Sequence, residues 1–155
     1  MSLAVPSSLS LRGAACKVGI VAARYNEALV NGLLTRVEAE LRGAGVRRLT
    51  LVRVPGSHEV PYAAAELARK SGTDVVIALG LLIGGDTNHH EMVGQSVSHA
   101  LQQVALQHRV PVINGVIVTD TQAQARARCI GRINRGAEFA RAALEMAAVK
   151  RKLKS

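Results

Sequence analysis

Apolar residues recur along the chain at two spacings, and each spacing predicts one kind of element. Runs that are apolar at nearly every position predict buried strands at residues 17–23, 49–54, 75–79 and 110–118. Apolar residues three and four positions apart predict amphipathic helices at residues 27–42, 61–70, 89–108, 121–128 and 135–152. The alternation of strands and helices predicts an α/β domain: a four-stranded, mainly parallel sheet with right-handed crossovers and helices on both faces.

The unusual polar clusters of this chain fall at or beyond the ends of the predicted strands. Tyr25 and Asn26 follow the first strand, residues 57–59 the second and residues 84–89 the third, while residues 114–120 lie in or after the fourth. In an open parallel sheet, ligands bind beyond the carboxyl ends of the strands. We therefore expect these clusters to form one ligand site at that edge of the sheet.

The composition fits a single domain with an aliphatic core. The chain has 155 residues, of which 48% are hydrophobic but only 2% aromatic. We predict a flexible N-terminal arm at residues 1–16 and one domain at residues 17–155. Two cysteines, Cys16 and Cys129, are too few for a disulfide scaffold, and no apolar run is long enough to cross a bilayer. We therefore expect a cytoplasmic protein.

The formal net charge of +9 would suit nucleic acid, an anionic membrane or a phosphorylated small molecule as partner. Much of the positive excess lies in residues 126–154, where the helix dipole also favours a basic C-terminal helix end. A basic nucleic-acid-binding domain is thus one alternative function. The chain lacks the aromatic platform on which unpaired bases stack, so we expect neither nucleic acid nor membrane as partner.

A glycine-bearing loop is predicted at residues 80–88, before the third helix. Gly84 and Gly85 allow a ligand to approach the backbone, Thr87 offers a hydroxyl, and the helix start offers free N–H groups. This combination is typical of a phosphate site. An ordinary glycine loop, with the helix capped by one of residues 86–88, explains the same pattern.

Histidines near this loop are candidates for proton transfer or metal binding. A neutral imidazole at His89, beside a bound phosphate, can act as a general acid and base. His58, Glu59, His90 and Glu91 could face one cleft together with His89, but their spacing matches no metalloprotease helix or zinc knuckle. We therefore expect no metal site.

Several short motifs, in a fixed order, resemble those of the lumazine synthase family. They are ARYN at residues 23–26, VPGSHEVP at 54–61, IGGDTNHHEMV at 83–93, VPVINGVIVT at 110–119, QA at 124–125 with Arg128, and NRG at 134–136. The resemblance runs from about residue 17 to residue 146. It implies a flavodoxin-like three-layer αβα sandwich and the activity of a transferase in riboflavin biosynthesis.

The implied reaction condenses 5-amino-6-(D-ribitylamino)uracil with 3,4-dihydroxy-2-butanone 4-phosphate to give 6,7-dimethyl-8-ribityllumazine. Phosphate and water are released, and no metal or redox cofactor is needed. His89 would be the catalytic proton donor and acceptor. The implied substrate-binding residues are Tyr25 against the pyrimidine; Ser57, His58 and Glu59 at the ribityl chain; Leu81, Leu82 and Ile83 through their backbone; Asp86, Thr87 and Arg128 at the phosphate; and Asn114.

The chain departs from the family pattern at four of these motif positions. Family members usually carry aromatic residues at the positions of His58 and His90, often Phe at Asn114, and commonly a basic residue at Gly84. These departures motivate a second alternative, a paralogue with altered specificity or without turnover that binds a flavin or related heterocycle on the same scaffold. An assay with both substrates distinguishes the two.

The resemblance further implies a homo-oligomer. Family members form pentamers with active sites between subunits, and some pack twelve pentamers into an icosahedral capsid. Arg128 would then enter a neighbour's pocket, and the N-terminal arm is able to join a neighbour's sheet. Riboflavin synthase is a further candidate partner. The sequence leaves open whether the assembly is a pentamer, a decamer or a capsid.

Overall fold

The computed structural model describes Ala4 and residues 11–154. Four strands and five helices alternate as predicted, and a 3₁₀ turn at Ser57–Glu59 precedes the second helix. The strands are β1 Lys17–Ala23, β2 Arg48–Val54, β3 Val75–Ile83 and β4 Val112–Thr119. The helices are α1 Glu27–Gly43, α2 Val60–Arg69, α3 His89–His108, α4 Gln122–Cys129 and α5 Arg135–Lys154.

The four strands form one parallel sheet in the order β2-β1-β3-β4. One hydrophobic cluster joins the sheet to α1, α4 and α5, and a second joins the opposite face to α2 and α3. The predicted three-layer αβα sandwich is therefore confirmed. Because all four strands run in the same direction, their carboxyl ends meet at one edge of the sheet.

The third strand is longer than predicted. Residues 80–83 were expected to begin the glycine-bearing loop, and this expectation is wrong: Gly80, Leu81, Leu82 and Ile83 pair in parallel with residues 116–119 of β4. The strand continues through Gly80 because pairing with β4 satisfies its backbone groups. The loop is thereby reduced to residues 84–88.

Small residues set the close packing of α5. Ala137, Ala140, Ala143 and Ala147 are almost fully buried, and the last three belong to the cluster shared with α1. Alanine allows two helix backbones to approach closely, so this core needs few aromatic side chains. No helix in the described part of the chain is both long and apolar enough to cross a membrane.

The predicted N-terminal arm, residues 1–16, lies mainly outside the described residues. Its described end packs against the domain. The amide of Gly13 donates a hydrogen bond to the carbonyl of Ala44 at 2.8 Å. Cys16 is fully buried, and the guanidinium of Arg151 lies 2.9 Å from its Sγ.

Candidate active site

A cavity of about 600 Å³ opens at the carboxyl edge of the sheet, beyond β1, β2 and β3. This is where the polar clusters were expected to converge. Nine of the residues expected at the site line it, namely Tyr25, Ser57, His58, Glu59, Leu81, Leu82, Ile83, Thr87 and His89. The cavity is also lined by Asn26, Gly56, Gly85, His90 and Val93.

Tyr25 and Asn26 form the corner after β1. Tyr25 is 71% exposed and lines the cavity, so a ligand there can stack on its ring with little rearrangement. Asn26 adopts the left-handed conformation, with φ 60° and ψ 44°, which asparagine tolerates better than most residues. Its side-chain amide donates a 2.9 Å hydrogen bond to the carbonyl of Leu81 in β3. The turn that carries Tyr25 is thereby attached to the neighbouring strand.

The turn after β2 places a carboxylate and an imidazole at the mouth of the cavity. Glu59 accepts a 2.9 Å hydrogen bond from the amide of Gly56, which orients its carboxylate. His58 Nδ1 lies 3.8 Å from the second oxygen of that carboxylate, and the His58 side chain is 72% exposed. Both side chains remain accessible to a polar ligand.

Ser57 lies between these two residues and the sheet. Its side chain is buried, and within the described structure Oγ has no hydrogen-bond partner. A Cβ at Gly80 would lie 2.5 Å from this Oγ, so glycine at position 80 makes room for the serine. Ser57 lines the cavity, but its Oγ is covered, so atoms other than the hydroxyl oxygen face the cavity.

The 84–88 loop leads into the N-terminus of α3. Thr87 Oγ1 accepts a long hydrogen bond, 3.4 Å, from the amide of His89, and Asn88 at the N-cap makes no side-chain capping bond. A hydroxyl that accepts one bond keeps a proton to donate, so Thr87 remains available to an anion. The first turn of a helix favours negative charge.

The side chain of His90 is almost covered, in contrast to that of the exposed His89 beside it. His90 Nε2 lies 3.3 Å from Oδ1 of Asp120, at the end of β4. Ligand atoms of His90, Asp120 and Glu91 lie within 4.8 Å of one another, the one such grouping of three or more potential metal ligands in the described residues. Glu91 and Asp120 are exposed to solvent.

Three expected site residues do not line this cavity within one chain. Asp86 lies on the exposed loop beside it. Asn114 lies earlier in β4, beside Ala78, where its Oδ1 accepts a hydrogen bond from the amide of Val116. Arg128, on α4, donates a 3.0 Å hydrogen bond to the carbonyl of Gln124.

Asn26 and Asp120 belong to the polar clusters expected at this edge of the sheet, and His90 to the candidate metal ligands, but none of the three was assigned a role in the substrate site. Asn26 carries a local signal, because a non-glycine residue that tolerates the left-handed conformation stands in the turn after β1. The link between His90 and Asp120 spans thirty positions and carries no such signal. Only the pairing of β3 with β4 brings them together.

The fold and the cavity together define an α/β protein with a ligand-sized cavity at the carboxyl edge of a parallel sheet. Comparison with known proteins specifies the class further. The model of the 6,7-dimethyl-8-ribityllumazine synthase family matches residues 15–151. The chain is 46% identical over 134 residues to the 6,7-dimethyl-8-ribityllumazine synthase of Aquifex aeolicus, covering 84% of this chain and 87% of that protein.

Two further relatives carry the same name. The chain is 45% identical over 140 residues to the protein from Thermobifida fusca, covering 88% of this chain and 81% of that protein. It is 38% identical over 143 residues to the protein from Thermococcus kodakarensis, covering 92% of each. The chain belongs to the 6,7-dimethyl-8-ribityllumazine synthase family, a family of transferases in riboflavin biosynthesis.

Proposed function

We propose that this enzyme condenses 5-amino-6-(D-ribitylamino)uracil with 3,4-dihydroxy-2-butanone 4-phosphate to form 6,7-dimethyl-8-ribityllumazine. One observation carries the proposal: a single cavity is lined by the exposed Tyr25, by the carboxylate of Glu59, and by Thr87 and His89 at the start of α3. These groups match a flat heterocycle with a polyol chain on one side and a phosphate on the other.

The pyrimidine and its ribityl chain would bind between β1, β2 and β3. Tyr25 would stack on the ring, because its face is exposed at the cavity. Backbone groups of Leu81, Leu82 and Ile83 would contact the ring edge. The ribityl hydroxyls would reach Glu59 and His58, while Ser57, whose hydroxyl oxygen is buried, would contribute backbone contacts.

The phosphate would bind at the 84–88 loop and the first turn of α3. Backbone N–H groups and the Thr87 hydroxyl supply donors that need no charge of their own. Asp86 would take part through its backbone, since its carboxylate repels an anion. Phosphate held here lies beside His89, which brings the leaving group and the acid–base group together.

His89 would move protons in each step of the reaction. The primary amine of the pyrimidine adds to the ketone, and the carbonyl oxygen leaves as water to form an imine. Removal of a proton from the sugar carbon skeleton then expels phosphate, and ring closure releases a second water. Proton transfers suffice for all three steps, with no net oxidation or reduction, so one imidazole and correct orientation meet the requirement.

A second copy of the chain would complete the site. Arg128 does not line the cavity of its own chain, and its guanidinium fork suits bidentate binding of a phosphate. We therefore assign Arg128, with Asn114, to the pocket of a neighbouring subunit in a homo-oligomer. A pentamer, alone or in a larger assembly, is the arrangement that we propose, in the cytoplasm and with riboflavin synthase as a candidate partner.

The direct test is incubation of the purified protein with both substrates while the fluorescence of the bicyclic product is recorded. We expect product formation and release of one inorganic phosphate per product. The same two substrates without protein provide the control for uncatalysed condensation. Product formation no faster than in that control, from correctly assembled protein, would refute the proposal.

One set of residues favours a second candidate function. His58, His90 and Asn114 stand where the resemblance led us to expect aromatic side chains, and His58 lies at the cavity mouth. A paralogue that binds a flavin or related heterocycle without turnover would tolerate such changes. Tight binding of riboflavin together with an inactive assay would favour this candidate.

A further inference from the structure

We propose that His90 and Asp120 position the phosphate-binding part of the site, by holding the start of α3 and the 84–88 loop against the end of β4. The proposal rests on the function proposed above. It assigns His90 and Asp120 a positioning role, since the pair acts through Thr87 and His89 and not by touching the substrate phosphate.

The hydrogen bond between the two side chains has a defined direction. An ionised carboxylate only accepts hydrogen bonds, so Nε2 of His90 donates to Oδ1 of Asp120, at 3.3 Å. The other ring nitrogen, Nδ1, is buried and has no partner in the described structure. The His90 side chain is only 11% exposed. Among residues 11–154, Asp120 is therefore the one hydrogen-bond partner that orients this ring.

The other end of the loop is attached to the same part of β4. The amide of Gly84 donates a 2.7 Å hydrogen bond to the carbonyl of Thr119. A Cβ at Gly84 would lie 2.6 Å from the carbonyl oxygen of Asp120, closer than real side chains come. Glycine at 84 thus lets the loop start touch the backbone that carries the Asp120 carboxylate. Gly84 and His90, two departures from the family pattern, belong to one local arrangement.

Asp120 is itself held in place by the cap of α4. Its amide donates a 2.9 Å hydrogen bond to Oε1 of Gln124, within the capping box that begins α4 at Thr121. The loop is therefore attached at both of its ends to a fixed backbone segment, residues 119–120. Tyr25 and Glu59, in contrast, are held by the hydrogen bonds of Asn26 and Gly56, which lie in the turns after β1 and β2.

This separation predicts unequal effects on the two substrates. In Asp120→Ala and His90→Phe, we expect the KM for the butanone phosphate to rise about threefold to tenfold, the effect of one lost hydrogen bond to a charged, partly exposed group. The KM for the ribitylaminouracil should stay unchanged. Asp120→Asn keeps an acceptor oxygen and should restore the KM for the butanone phosphate. Equal changes in both KM values, or no rescue by Asn, would contradict the proposal.

Substitutions at Glu91 and at two glycines provide further tests and controls. Glu91→Gln removes a nearby negative charge but no hydrogen bond to His90, so it should leave both KM values unchanged. Gly84→Ala should raise the KM for the butanone phosphate as Asp120→Ala does, whereas a Cβ at Gly43, at the end of α1 and outside the cavity, meets nothing within 4 Å and Gly43→Ala should not. If Glu91→Gln behaves like Asp120→Ala, local charge and not the hydrogen bond is responsible, and the proposal is wrong.

A readout that needs no turnover keeps this proposal separate from the proposed function. In Asp120→Ala, inorganic phosphate should bind more weakly, as measured by calorimetry, and the amide hydrogens of residues 85–91 should exchange faster. Both quantities should return to the wild-type values in Asp120→Asn. Failure of the wild-type assay would refute the function alone, whereas unaltered phosphate affinity and exchange would refute the positioning role. Binding of Zn²⁺ or Mn²⁺ that is lost in Glu91→Gln would instead identify a cation site at these residues and would overturn the positioning role.

Discussion

The side-chain amide of Asn26 donates a hydrogen bond to the carbonyl of Leu81, at 2.9 Å, and so joins the turn after β1 to the neighbouring strand β3. Tyr25, whose ring lines the cavity, precedes Asn26 in this turn. The left-handed backbone of Asn26 and its side-chain bond therefore act together on the position of the ring proposed to stack on the pyrimidine.

Substitutions at Asn26 should separate these two contributions. We expect Asn26→Ala to lower the free energy of unfolding by about 2 kcal/mol, about half from the lost hydrogen bond and half from the left-handed conformation. Asn26→Gly loses only the bond and should be destabilised by about 1 kcal/mol. Urea unfolding measures both. In either variant the KM for the ribitylaminouracil should rise. Equal free energies of unfolding for Asn26→Ala and Asn26→Gly would exclude a contribution from the left-handed backbone.

Replacement of His89 should affect turnover and not folding. We expect His89→Ala to lower kcat roughly 10²–10⁴-fold, the range for loss of a general acid–base group. The exposed position of His89 predicts unchanged urea unfolding. His99→Ala, on the exposed side of the same helix, is the control and should keep full activity. Near-normal turnover of His89→Ala would remove His89 from the mechanism.

Arg128→Ala should raise the KM for the butanone phosphate and leave that for the ribitylaminouracil unchanged, with Arg126→Ala as the control on the same helix.

An experiment that mixes two variant chains tests whether Arg128 acts in the neighbour's site. Equal amounts of His89→Ala and Arg128→Ala chains, unfolded and reassembled together, should regain about a quarter of wild-type activity, because random assembly forms some intact intersubunit sites. No recovery in correctly sized oligomers would indicate that both residues act within one chain.

Two buried hydroxyls should respond to removal in opposite ways. Ser57 Oγ has no hydrogen-bond partner in the described structure, whereas the Thr73 hydroxyl donates to the carbonyl of Leu67 at 3.0 Å. We expect Ser57→Ala to raise the free energy of unfolding by about 1 kcal/mol and Thr73→Val to lower it by about 1 kcal/mol. Urea unfolding without substrates is the measurement. Destabilisation by Ser57→Ala would show that its hydroxyl is satisfied in solution.

The buried thiol of Cys129 predicts a specific alkaline loss of stability. Burial raises the pKa of Cys129 above its ordinary value of 9.0, and the nearby Arg36 only partly offsets this. The unfolded thiol thus ionises at lower pH than the folded one. Its contribution to stability is complete below the unfolded pKa and is lost as the pH rises through the folded pKa.

Cys129→Ala should therefore lose less stability than the wild type between about pH 9 and the folded pKa. Urea unfolding at a series of pH values, with the difference between the two proteins taken at each pH, isolates this residue from other titrating groups. The buried thiol should also react slowly with iodoacetamide until urea unfolds the chain. A constant stability difference across the series would contradict the assignment.

Local patterns were sufficient to predict every strand and helix, because each buries an apolar face with the period of its own backbone. The boundary that failed was the end of β3. Glycine at positions 80, 84 and 85 indicated a loop, but Gly80 lies within the strand because β4 runs beside it as far as Thr119. A single chain segment does not reveal how far a distant partner strand extends.

The sequence alone was enough to expect an α/β sandwich, the edge of the sheet that binds ligands, and a cavity with Tyr25, Glu59, Thr87 and His89, since these follow from strand order and from motifs that are contiguous in the chain. Tertiary structure decided which side chains are oriented by which partners. The contacts of Asn26 with Leu81 and of His90 with Asp120 join residues 55 and 30 positions apart. Such contacts depend on strand register and on a few tenths of an ångström of backbone approach, and local propensity carries neither.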